Sequence, residues 1–372
     1  MARTLRSSLL LATLATLAAI AAPGLAAASP CTPRVERFTI KLGGATSRAE
    51  ILRPPVARPR AIMVLIHGSD VADLDSSVVD AKGAVIATPL RDVATALACG
   101  GVATIRYDKR FVTGAATVDR DAFAKLRLQD LLADAVTALD VARTRRDLGL
   151  LPQGVFGWSE GTTVAAALAA QRPAIRIAVL QAPVLTSFAQ KLPEDYPRVG
   201  APYLARFATN GALDADAIAR ATAGPGGIIA QIYVGMFRGF APVERINPLL
   251  DSNHDGRIAL TEAQPIIRGW FADDVNGGLG MYASSVALPG VRAQLPKIRA
   301  RVLILQGTDD GAIDPADARA LGAERRPNVT VRLYPGLGHT LGPSPSPIED
   351  HFLPTAPAPL RDMVRWVTAQ LR

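Results

Sequence analysis

The 372-residue chain is long enough for one large domain or two smaller ones, and with 49% apolar residues it can bury a sizeable core. Its 41 Lys and Arg against 33 Asp and Glu leave a net charge of +8, yet the basic residues are scattered and aromatics make up only 5%. That pattern gives no basic stripe interleaved with aromatic rings, so no nucleic-acid partner is expected.

The first residues read as an export signal, not as fold. Arg3 and Arg6 form a positive start, Leu9 to Ala22 an apolar run, Pro23-Gly24 a break, and Ala26-Ala27-Ala28 an A-x-A cleavage site. Residues 1–28 are expected to be removed, leaving a secreted or periplasmic protein. No stable membrane insertion is expected after cleavage, because the run is short for a span and no other segment is long and apolar enough. Cys31 does not suit a lipid anchor, since Pro30 precedes it. In an oxidising compartment Cys31 and Cys99, the only cysteines, either pair or leave Cys99 as a buried free thiol.

Val35 to Leu42 alternates apolar with polar and predicts a strand, with Arg48 to Leu52 as its partner across Gly43-Gly44. Ala61 to Ile66 is a continuous apolar run, as a buried parallel strand requires. Ile86 to Cys99 keeps helical spacing and stops at Gly100-Gly101. A strand follows at Val102 to Tyr107, then an amphipathic helix at Leu126 to Leu148. Gly154 to Gly157 reads as a strand and Thr162 to Ala170 as a helix. Ile175 to Leu180, Arg301 to Gln306 and Val329 to Tyr334 are further strands, with helices at Pro315 to Ala323 and Pro359 to Leu371. Buried strands alternating with helices predict an α/β fold: a mostly parallel sheet covered on both faces, with its site at the carboxyl ends of the strands. Thr186 to Lys297 breaks the rhythm. It is Pro- and Gly-rich and partly helical (Ala201 to Ala208, Asp214 to Ala221, Ile228 to Phe237). The expected organisation is a core over 29–185 and 299–372, interrupted by a mainly helical cap over 186–298.

Gly157-Trp158-Ser159-Glu160-Gly161 stands between the fifth strand and its helix. At such a turn a serine is held strained with its hydroxyl exposed, and the glycines let strand and helix pass closely. A serine hydroxyl needs an adjacent base, and the base needs a group that fixes its tautomer. His339, in the loop after Val329 to Tyr334, is the expected base, with His351 in reserve; His67 comes too early in the chain. The acid is expected in Gln306-Gly307-Thr308-Asp309-Asp310, as Asp310 by its G-x-x-D spacing, with Asp309 the alternative. The oxyanion donors are expected to be the backbone amides of Glu160 and of Ser69, or Asp70, after His67-Gly68.

The segment His67-Gly68-Ser69, the run Arg106-Tyr107-Asp108-Lys109-Arg110, the serine turn, Gly307 to Asp310, and Gly338-His339 together resemble the α/β-hydrolase superfamily. Within it the chain is similar to bacterial esterases and serine-aminopeptidase-like hydrolases. The likeness spans about residues 60–182 and 301–372 and implies a serine hydrolase with a Ser159, Asp310, His339 triad. The chain departs from such relatives at 70–75, where Gly-Pro and an Arg-Asp pair are common, and at Phe111, where Gly is common. Arg106, Asp108 and Arg110 read as an ion-pair network at a strand end.

Asp251 to Glu262 fits D-x-[DN]-x-[DN]-G-x₅-E and resembles an EF-hand calcium loop. Asp251, Asn253, Asp255, the Arg257 carbonyl and Glu262 are the expected ligands of one structural Ca²⁺, Gly256 allows the sharp turn, and Ile258 anchors the loop. The entering helix is short, Pro265 is expected in the first turn of the exit helix, and no partner loop is evident. The leading reading is a secreted hydrolase of small carboxylic esters, needing no cofactor for catalysis, with a cap lined by Ile228, Ile232, Met236, Phe237 and Phe240. The alternatives are a serine exopeptidase gripping a substrate amine with Glu194 and Asp195, and a calcium-dependent binding protein without turnover.

Overall fold

Eight strands form one sheet: β1 (Arg34–Leu42), β2 (Ala45–Arg53), β3 (Ile62–Ile66), β4 (Ala103–Tyr107), β5 (Gln153–Trp158), β6 (Ile175–Gln181), β7 (Arg301–Gly307) and β8 (Val329–Tyr334), in the order β1-β2-β4-β3-β5-β6-β7-β8. The computed structural model describes residues 31–371 apart from 56, 70, 81, 116, 240–244 and 273–287. The expected signal segment, Asp70 and Phe240 lie outside the described residues. The first two pairings are antiparallel and all others parallel. Ile62 to Ile66 are at most 2% exposed, because a central strand of such a sheet is covered on both faces. Each such aliphatic side chain contributes roughly 1.5–3 kcal/mol by leaving water.

Helices α1 (Pro89–Cys99), α2 (Leu128–Arg143) and α3 (Gly161–Gln171) follow β3, β4 and β5. The helix expected from Ile86 starts later. Val85–Ala87 instead pairs with Val78–Val79 as a hairpin, and Pro89, with no N–H to lose, occupies the first helical turn. The helix expected to reach Leu148 ends at Arg143. Cys31 and Cys99 are both disulfide-bonded, so Cys99 is not a free thiol.

Between β6 and β7 the chain forms α4 (Ala215–Ala223), α5 (Ile228–Arg238) and α6 (Leu260–Ala272), with a π-helical turn at Tyr196–Gly200. These elements bury a hydrophobic cluster of their own, with Tyr196, Tyr203, Tyr233, Phe237 and Ile258. Phe237 is therefore core and not lining. Pro265 falls inside α6, because that helix already starts at Leu260. After β7 come α7 (Pro315–Ala323) and α8 (Pro357–Ala369), the last packed against α1. Residues Thr32–Arg372 form one compact unit.

The inserted segment does contain a partner for the 251–262 loop. Ile258–Ala259 pairs antiparallel with Ala212–Leu213, Leu213 facing Ile258. The partner loop turns through Asn210 and Gly211 at positive φ, as the other does through His254 and Gly256. In equivalent places to Asp251, Asn253, Asp255 and Glu262 it carries Arg206, Ala208, Asn210 and Ala217. With no carboxylate at any of these four places, it shows no ligand pattern in the sequence.

Candidate active site

The chain leaves β5 at Trp158 and enters α3 at Gly161 with Ser159 at φ 56°, the left-handed region that a side chain rarely adopts. A Cβ on Gly157 would lie 2.3 Å from the Gly161 carbonyl oxygen, and one on Gly161 would lie 2.3 Å from that of His67. Only glycine fits either place, so strand, turn and helix are locked together around the serine.

His339 is brought to this turn through Trp158, whose indole N–H donates to the His339 carbonyl at 3.1 Å; the Gln181 amide donates to the same oxygen at 3.2 Å. The imidazole lies between two rings, Trp158 at 5.1 Å and Phe352 at 4.8 Å. Its Nδ1 stands 3.0 Å from both carboxylate oxygens of Asp310. An ionised carboxylate only accepts, so Nδ1 carries a proton, which makes Nε2 the lone-pair nitrogen whenever the ring is neutral. Ser159, His339 and Asp310 are all buried.

Asp310 also accepts from the amides of Ala312 and Ile313 and from the Gln306 side chain. Burial alone would raise its carboxyl, but the His339 imidazole and the Ile313 amide outweigh this and hold it below the usual carboxylate range. Asp309 instead accepts from the Thr308 hydroxyl and makes no contact with the imidazole in the structure. Arg198, from the π-helical turn, donates to the Asp310 and Gly311 carbonyls at 2.8 and 2.6 Å.

One acid at the site escaped the sequence reading. Asp350 accepts the amides of His339, Gly311 and Phe352. Its carbonyl accepts the Ile228 amide at the start of α5. It sits in a Pro-rich loop without motif or periodicity, so nothing local marks it. Burial, followed by the charge of Asp310, pushes its carboxyl up.

His67 points Nε2 at the Tyr107 carbonyl and stands edge-on to the Tyr107 ring. Burial and the Lys109 and Arg106 charges push its pKa down to about 3, so it stays neutral and structural. His351 is half-buried in the wall of a cleft of about 470 Å³ with Val79, Ile86, Ile228 and Ile232. Ser69 is exposed after β3, and the amide of Glu160 stands at the N-terminus of α3. Arg106 pairs with Glu50 and Asp75, Asp108 with Arg48, and Arg110 with Asp130 and Asp134. Asp195 is buried between Lys191 and Arg198.

In the 251–262 loop the donor set is all oxygen, which suits a hard cation. Asp251 accepts the amides of Asp255 and Gly256, Asp255 that of Arg257, and Glu262 those of Ser252, Asn253 and Ala259. With Glu262 turned onto backbone amides, no three His, Cys, Asp or Glu side chains among the described residues converge as a ligand set.

Residues 87–342, more than half of the chain, match the family model described as "Serine aminopeptidase, S33". Among solved structures, Est1E from Butyrivibrio proteoclasticus is 15% identical with a TM-score of 0.46, the match covering 90% of this chain and 98% of that one. Dienelactone hydrolase from Anabaena variabilis is 16% identical (TM-score 0.43, 91% and 96% covered). The thioesterase domain from the curacin biosynthetic pathway is 17% identical (TM-score 0.44, 89% and 99% covered). No match was found among curated proteins.

Proposed function

The chain belongs to the serine aminopeptidase family of α/β-hydrolases, and from that membership we propose that it is an exported serine hydrolase of small carboxylic esters. Ser159 Oγ attacks the acyl carbonyl while His339 Nε2 takes its proton. Asp310 holds the imidazole by Nδ1–H and stabilises the imidazolium that forms. The negative oxygen of the tetrahedral intermediate faces the amides of Glu160 and Ser69. Its collapse breaks the bond to the alcohol oxygen, which leaves with the proton from His339. Water, deprotonated by the same nitrogen, then releases the acid and restores Ser159.

The observation that carries this reading is the contact of His339 Nδ1 with both oxygens of Asp310, with the His339 carbonyl tied to Trp158, the residue before a serine held at positive φ. The preference for esters is supported by the apolar cleft, whose wall residue His351 stands between Asp350 and Phe352, both in contact with His339. The family description favours the second reading, a serine exopeptidase. Against Asp195 as the group gripping a substrate amine stands its neutralisation by Lys191 and Arg198. The elements between β6 and β7 serve as the cap. In it Asp251, Asn253, Asp255, the Arg257 carbonyl and Glu262 would hold one Ca²⁺, a cross-link that takes no part in the reaction. Export is supported by the N-terminal pattern and by the disulfide-bonded cysteines; no helix among the described residues is long and apolar enough to cross a membrane.

The test is labelling by a fluorophosphonate probe, with turnover of p-nitrophenyl esters set against aminoacyl anilides. Labelling of the wild type that disappears in Ser159→Ala supports the hydrolase. No labelling of the wild type favours a calcium-dependent binding protein.

A further inference from the structure

We propose that Lys109 is a positioning residue for the oxyanion hole: its buried ammonium sets the direction of the Ser69 amide and ties that peptide to Glu160. The inference rests on the serine-hydrolase reading above. Lys109 follows β4, and its side chain is 2% exposed. Its Nζ donates to the Gly68 carbonyl at 2.6 Å and to Glu160 Oε1 at 3.1 Å, and the Glu160 side chain is fully buried. One cation therefore reaches the two segments that supply the proposed donors, although neither segment is near Lys109 in sequence.

The geometry gives the contact its consequence. The Gly68–Ser69 peptide is trans and planar, so its N–H points opposite to its C=O. With the carbonyl held from below by Lys109, the Ser69 N–H must face the other way. Gly68 itself packs against the serine turn: a Cβ there would lie 3.2 Å from the Trp158 ring and 3.5 Å from the Ser159 Cβ. The oriented amide thus belongs to the residue that follows one adjoining the nucleophile. On the other side, Glu160 gives its carboxylate to Lys109 while its backbone opens α3. Burying such a pair carries a desolvation penalty that an apolar pair of the same size would avoid, so stability alone does not explain it. The rigid direction of a peptide that water would otherwise rotate does.

Lys109→Met, Lys109→Gln and the double variant Lys109→Met with Glu160→Gln test this, alongside Ser159→Ala. The readouts are kcat and KM for a p-nitrophenyl ester, the fluorophosphonate labelling rate, the affinity of a trifluoromethyl ketone that adds to the serine, and Tm. Removing a donor outright lowers kcat about 10²–10³-fold in other serine hydrolases. Misdirecting one is expected to lower kcat and the labelling rate about 10–100-fold in Lys109→Met, with KM within twofold and ketone affinity falling in step. The double variant is expected to recover Tm without recovering kcat, and Lys109→Gln, which can still donate to Gly68, to recover much of kcat. A folded double variant with kcat within twofold of wild type overturns the proposal. So does loss of folding in all three variants, which would make Lys109 purely structural. If Ser159→Ala still turns over ester, or the wild type is not labelled, the hydrolase reading itself fails; if Ser159 is required and the double variant is active, only the role of Lys109 fails.

Discussion

Asp350 Oδ2 accepts the backbone N–H of His339 at 2.7 Å and that of Gly311 at 2.9 Å, so one buried carboxylate joins the loop of the proposed base to the loop of its acid. The fit is tight: a Cβ on Gly338 would lie 2.2 Å from Asp350 Oδ1. Asp350→Ala leaves those two amides and that of Phe352 without their acceptor. At roughly 1–3 kcal/mol for each unsatisfied buried group, the variant is expected to lose about 3 kcal/mol in urea unfolding. Its kcat is expected to fall more than tenfold with little change in KM, because the imidazole loses its setting while the cleft persists. Asp350→Asn, which keeps an acceptor oxygen, should lie between the two. Wild-type kcat in Asp350→Ala would sink the idea.

The partner loop sets the stoichiometry expected of the proposed calcium site. Only one of the two paired loops carries carboxylates at the ligand places, so titration calorimetry is expected to give one ion per chain. Chelation is expected to lower the wild-type Tm, and Asp251→Ala to have the same low Tm with or without calcium. The reach of the site is also traceable: the Tyr196 hydroxyl donates to the Leu260 carbonyl at the start of α6, and Arg198 on the same turn holds the Asp310 and Gly311 carbonyls. Chelated protein should therefore lose kcat as well as Tm. Equal midpoints with calcium and with chelator would remove both expectations.

Asp317 gives a pH signature separate from the site. Burial first, then the charges of Glu194 and Asp314, raise its carboxyl from the ordinary 3.8 to about 6. A folded-state pKa above the unfolded one means that the native chain holds the extra proton, so this contribution to stability is complete below about pH 4 and is lost as pH rises through 6. Asp317→Asn removes the ionisation yet keeps an oxygen for the Leu185 amide. Its Tm should exceed that of the wild type at pH 8, and the gap should close at pH 4. A gap that is the same at both pH values contradicts the assignment.

What the sequence made legible follows from how local each signal is. Ile62 to Ile66 is a strand because an unbroken apolar run can be satisfied only between two covered faces. Ser159 was readable because its turn demands glycine on both sides at fixed spacing. Asp310 is preferred over Asp309 in the sequence by its G-x-x-D spacing alone, and the coordinates add that Asp310 is the one of the two in contact with the His339 imidazole. Ile86 and Ala87 fit the expected helix because Ile86, Leu90 and Val93 keep helical spacing; the competing signal is Pro89. The contacts of Asp350 with Gly311, and of Lys109 with Glu160, join residues far apart in the chain, and no local pattern records them. Phe111 is a different case. It stands at φ 67°, a backbone conformation that glycine usually advertises and a phenylalanine does not.

The same conformation at Ser159 predicts a stability order that runs against function. A non-glycine residue in the left-handed region costs about 1–2 kcal/mol, and glycine adopts it without strain. Ser159→Ala removes the hydroxyl and keeps the strained backbone, so its stability should stay close to that of the wild type. Ser159→Gly also removes the Cβ, and should be more stable than Ser159→Ala by about 1 kcal/mol in urea unfolding, offset in part by the greater freedom of glycine in the unfolded chain. Both should be inactive. The comparison isolates the backbone, because the two variants differ by a single methyl group at a site 4% exposed. If Ser159→Gly unfolds at lower urea than Ser159→Ala, the turn is not storing strain, and the packing of Gly157 and Gly161 alone would have to explain how the serine is held.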